Sequence, residues 1–81
     1  MVTFLNQSRI SKDVDAAVIG TISEKDFSEV FPEGAYIIPS GTEMLQRIEE
    51  VISASVEPRV VEVLALVAEV LKNTRVVVIF N

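Results

Sequence analysis

The chain contains no cysteine and no histidine. Without cysteine there is no disulfide framework and no thiol nucleophile, and the redox compartment is left open. Without histidine the commonest general base and the commonest zinc ligand are gone. Basic residues are scarce: seven Lys and Arg stand against twelve Asp and Glu, for a net charge of −5. The seven bases are scattered, whereas binding to a phosphate backbone needs them clustered. Nucleic acid is therefore not expected as a partner, and neither is an anionic membrane surface. The N-terminus lacks a basic region followed by a long apolar stretch, so no signal peptide is expected. The longest apolar run is interrupted by Glu62 and Glu69 and is too short for a bilayer core of about 30 Å. These absences predict a cytoplasmic protein that is not an enzyme and holds neither cofactor nor metal.

Apolar side chain is abundant. Apolar residues make up 49% of the 81, valine and isoleucine alone number 22, and mean hydropathy is +0.43. A single domain of this length buries only about 60% of the surface of its unfolded chain. Apolar surface is expected to remain outside, and its simplest use is an interface between copies. The first expectation is thus self-association, most simply a two-fold dimer, with another protein as a further partner.

The stretch from Pro58 to Phe80 dominates the pattern. At 100° per residue, Val60, Val61, Val63, Leu64, Val67, Ala68, Val70 and Leu71 fill about half of a helix circumference. Arg59, Glu62 and Glu69 share the opposite arc, and Leu66 falls in its middle. These four residues form a candidate interface, and Leu66→Glu is expected to weaken association. The run Val76-Val77-Val78-Ile79-Phe80 shows no alternation and reads as a strand buried on both faces, inside a sheet.

Upstream, residues 2–5 read as a short strand, and residues 1–12 as a loose arm or edge strand of the one domain, 1–81. The β-branched residues Val18, Ile19, Thr21 and Ile22 favour a strand. Ser23 reads as an N-cap with Asp26 completing a capping box, and Phe27, Val30 and Phe31 give a two-turn helix ended by Pro32-Glu33-Gly34. Residues 35–38 form a short strand. Ser40 and Glu43 read as a second capping box. The helix that follows is expected to reach about Val56, with Met44, Leu45, Ile48, Val51, Ile52 and Val56 on one face and a Glu43–Arg47 pair on the other. Pro58 predicts a new helix, with one long kinked helix over 42–72 as the alternative.

Strands alternating with helices predict an α/β fold: a small, mostly parallel sheet of three or four strands with three helices packed on it. An α+β arrangement with a mixed sheet is the alternative. A parallel sheet carries its ligand crevice at the carboxyl ends of its strands. Gly20, Thr21 and Ser23 in one loop, and Ser40, Gly41 and Thr42 in another, then form a candidate anion site at two helix starts. That makes a small ligand-binding domain the second functional reading. Neither loop matches a phosphate-loop or dinucleotide fingerprint, and caps and turns explain the same residues. Asp13, Asp15, Glu24 and Asp26 could meet near one end of the sheet, but their spacing matches no calcium loop.

Overall fold

The computed structural model describes residues 1–7 and 17–80. Its elements run β1 (Val2–Asn6), β2 (Val18–Ile22), α1 (Glu24–Val30), β3 (Ile37–Ile38), α2 (Thr42–Ala54), α3 (Pro58–Leu71) and β4 (Val76–Phe80). Every element expected from the pattern is present, but the pairing is not the expected one. The sheet order is β2-β1-β4-β3, and all three pairings are antiparallel. The fold is α+β, the class expected as the alternative, and its all-antiparallel sheet overturns both the mostly parallel α/β sheet and the mixed sheet.

The connections explain why. One helix between two strands returns the chain to its starting end and makes the strands parallel. Two helices joined back to back cancel that return. β3 and β4 are joined by α2 and α3, so β4 runs antiparallel to β3 beside it. Between β2 and β3, α1 has seven residues, about 10 Å, too short to retrace a five-residue strand of about 17 Å. It instead crosses one end of the sheet. Phe27 packs its ring against Phe4 at 6.0 Å and edge-on to Phe80 at 5.2 Å, and Tyr36 meets Phe80 at 5.6 Å on the far side. β1 is an inner strand between β2 and β4, not an edge or an arm. The rest of the supposed arm, residues 8–12, lies outside the described residues, as do Asp13 and Asp15.

The core lies between one face of the sheet and the three helices. Val2, Phe4, Ile22, Ile38, Val76 and Val78 face inward from the strands. They meet Phe27, Val30 and Phe31 around α1, Ile48 of α2, and Val60, Val63, Leu64, Val67, Ala68 and Leu71 of α3. The centre of the apolar stripe of α3 is buried as its periodicity predicts, with Val61 and Val70 half-buried at its margins, while Leu66 stays 49% exposed. α3 lies close on the sheet because Gly20 has no side chain: a Cβ there would stand 3.1 Å from both methyl carbons of Val63. Gly20→Ala should therefore cost about 1–2 kcal/mol through overpacking, read from urea midpoints. An unchanged midpoint would show that Val63 can yield.

Local signals fare unevenly. Ser23 caps α1, its hydroxyl oxygen accepting from the Asp26 N–H at 3.1 Å and donating to Asp26 Oδ2 at 2.9 Å. The carboxylate thus receives the cap hydroxyl and does not reach back to the backbone, as a full capping box requires. The second box is absent: Gly41, not Ser40, is the N-cap of α2 and makes no side-chain cap bond. Its φ of 149° lies where side-chain-bearing residues are strained, so the chain turns into α2 by backbone freedom. α2 stops at Ala54, and Ser55 and Glu57 are extended before Pro58 opens α3. There are two helices, not one kinked helix, and Val56 lies outside both.

Arg47 also finds a different partner. Its guanidinium bonds Glu33 in the turn after α1, tying that turn to α2. Glu43 acts on it only through its charge. The hydrogen bond from Arg47 holds the Glu33 carboxyl below the ordinary value of 4.5. A depressed carboxyl pKa stabilises the fold above the unfolded value, and this stability is lost as pH falls through the folded one. Glu33→Gln should thus lower the melting temperature slightly at neutral pH, with the difference closing below pH 4.5. A gap that persists in strong acid would assign the effect to something other than this pair.

Candidate interaction surface

The antiparallel register sorts the strand residues between two faces. Partners across a pair share a face. Leu5 stands opposite Val77 and Val18, and Val77 opposite Ile37. Thr3 stands opposite Thr21 and Ile79. One apolar row, Val18-Leu5-Val77-Ile37, therefore crosses all four strands, with Thr21-Thr3-Ile79 beside it. This face points away from the core. Among the described residues no helix packs on it, and none of these seven side chains is charged. Leu5 is buried, Val77, Thr3 and Thr21 are half-buried, and Val18, Ile79 and Ile37 are exposed to 43, 43 and 50%.

An antiparallel sheet with one wet face normally alternates apolar and polar residues. β4 does not, and the structure corrects its reading: β4 is an inner strand, as expected, but among the described residues a helix covers only one of its faces. Its uniform valine and isoleucine run leaves apolar side chains on the other.

The residues singled out on α3 are all on the surface. Arg59, Glu62, Leu66 and Glu69 are exposed, and Glu69 pairs with Lys72 at 3.1 Å. Leu66 is not isolated. With Asn6, Ala17, Val18, Ile19, Glu69 and Val70 it lines a shallow hollow of about 280 Å³ at the β2 edge of the sheet. The apolar surface of the sheet thus continues around that edge onto α3.

The two loops of the anion reading are not brought together. β2 and β3 are opposite edges of the sheet and point in opposite directions. Gly20, Thr21 and Ser23 lie at one corner, and Ser40, Gly41 and Thr42 at the diagonal one. Gly20 and Thr21 belong to β2 itself, where Gly20 serves the approach of Val63. Ser23 is spent on the cap of α1. An antiparallel sheet has no common carboxyl end at which a crevice could form.

Among the described residues no group of three or more acidic side chains is placed to hold a metal ion, and no helix is long and apolar enough to cross a membrane. The chain matches no protein-family model, no curated protein and no solved structure.

Proposed function

We propose that the chain is a non-enzymatic assembly module that forms a homodimer through the outer face of its sheet. The observation that carries this is the uncharged apolar row Val18-Leu5-Val77-Ile37, with Ile79 beside it, on the face that no helix covers among the described residues and where Val18, Ile37 and Ile79 are exposed. Two such faces stacked about a two-fold axis place like surface on like surface and give a helix-sheet-sheet-helix sandwich. The charge pattern favours a second copy at this face over a contact between the α3 helices. Each copy carries −5, so a contact works best where charge is absent. A two-fold contact of α3 on α3 centred on Leu66 would set Glu62 against Glu69 of the other copy, with like charges opposed.

Size sets the strength. Four strands of up to five residues present a face of roughly 300 Å² in projection at normal strand spacing. A standard interface buries about 800 Å² per partner. The sheet face alone thus makes a weak dimer, and the Leu66 margin of the β2 edge enlarges it. Light scattering after size exclusion at about 100 µM should give twice the 8.9 kDa of one chain. A mass of one chain at that concentration would refute the reading.

A further inference from the structure

On the opposite side of the molecule, in the helix layer, a groove of about 350 Å³ opens where α1, the end of α2 and the start of α3 converge. Its apolar wall is Val30, Val51 and Val60, one from each helix. Val56, in the joint between α2 and α3, forms a lip and is 96% exposed. The rest of the rim is acidic: Asp26 and Glu29 from α1, and Glu57 from the joint. Asp26 is partly engaged by the Ser23 hydroxyl, and Glu57 accepts from the Arg59 N–H at 3.3 Å. Among the described residues no basic side chain lines the groove; Arg59 lines a neighbouring hollow that shares Asp26, Glu57 and Val60 with it.

The C-terminus of α2 opens here as well, and its last turn carries no Lys or Arg. The partial negative charge of that helix end is left for another cation to meet. The acids are spread around the rim and do not converge as a metal site would. An apolar slot edged by separated negative charges is complementary to apolar side chains flanked by separated positive ones.

We propose that this groove binds a segment of another protein in which leucine-like side chains alternate with lysine or arginine. An apolar side chain enters between Val30, Val51 and Val60 and packs under Val56. Flanking cations reach Glu29, Glu57 and the carbonyls at the end of α2. The groove and the outer sheet face lie on opposite sides of the fold, so a dimer leaves the groove free.

The probe is a fluorescein-labelled amphipathic peptide of leucine and lysine, titrated with the full chain and followed by anisotropy. The control peptide has the same lysines with serine for each leucine. The leucine peptide should saturate, and the serine peptide should bind roughly ten-fold more weakly. Val56→Ser and Glu29→Lys, both at exposed positions without a role in the core, should each weaken the leucine peptide roughly five-fold or more. Ile79→Glu, on the sheet face, should leave its affinity unchanged even if it alters association. Equal binding of the two peptides would reduce the effect to net charge and overturn the proposal. So would affinity unchanged by Val56→Ser, or no saturation at any concentration up to the solubility of the peptide.

Discussion

Phe27→Ala should unfold much of the population in the absence of denaturant. Phe27 is buried where three other rings meet: Phe4 at 6.0 Å, Phe31 at 5.2 Å and Phe80 edge-on at 5.2 Å. Replacing a buried phenylalanine with alanine costs about 3–5 kcal/mol in transfer and cavity terms. A domain of 81 residues has only about 4–12 kcal/mol in total. The position aggravates the loss. α1 has two turns, too few to be stable alone, so its helix exists only because Phe27 and Val30 anchor it. Releasing α1 also releases the bridge that carries the chain from β2 across the end of the sheet to β3. With a urea dependence of about 1 kcal/mol/M, the midpoint should fall by roughly 3 M, and near-ultraviolet dichroism from the rings should collapse. Phe27→Leu keeps much of the volume and should cost about 1–2 kcal/mol. A Phe27→Ala loss below about 1 kcal/mol would mean that the ring cluster is not the keystone of the α1 crossing.

Which parts of this architecture could be read from the chain follows from the range of each physical signal. The elements were legible because their causes are local: valine and isoleucine runs for strands, 3.6-residue periodicity for α3, Pro58 at the start of a helix. Strand pairing is not local. It depends on the number of helices between strands and on whether α1 is long enough to return, and both numbers were present without deciding the direction until the sheet was closed. Val56 shows how periodicity overruns. It lies on the apolar arc of α2 by spacing, but Ser55 is already extended at ψ 143°, and the residue before Pro58 is held out of helical geometry as well. The carboxylates of the groove carry no pattern in sequence. Asp26 and Glu29 share a rim with Glu57 only because α1 packs beside the α2–α3 joint, and no spacing rule spans that distance. The β4 run was informative in a way its literal reading missed. Its lack of alternation marks both faces as unsuited to water, and folding within one chain leaves one of them uncovered among the described residues.

That uncovered face makes the stability of the protein depend on its own concentration. If association buries Ile37 and Ile79 of two copies, the dimer is the form that excludes this apolar surface from water, and mass action raises the melting temperature as protein is added. Each hundred-fold excess over the dissociation constant contributes about 2.7 kcal/mol, which for a domain of this size corresponds to a shift of roughly 10 °C or more. Combining Ile37→Glu with Ile79→Glu places two negative charges per copy on the face. Both residues are about half exposed in the single chain, so the protomer keeps its core, while a stacked pair would bury four unpaired carboxylates, each at a cost of several kcal/mol. The double variant should therefore be monomeric at every accessible concentration, with a melting temperature that does not depend on dilution and matches that of the most dilute wild type. Leu66→Glu, at the margin, should weaken association without abolishing it. If Leu66→Glu dissociates the protein and the sheet-face variant does not, the contact lies on the outer face of α3 and the sheet stacks on nothing.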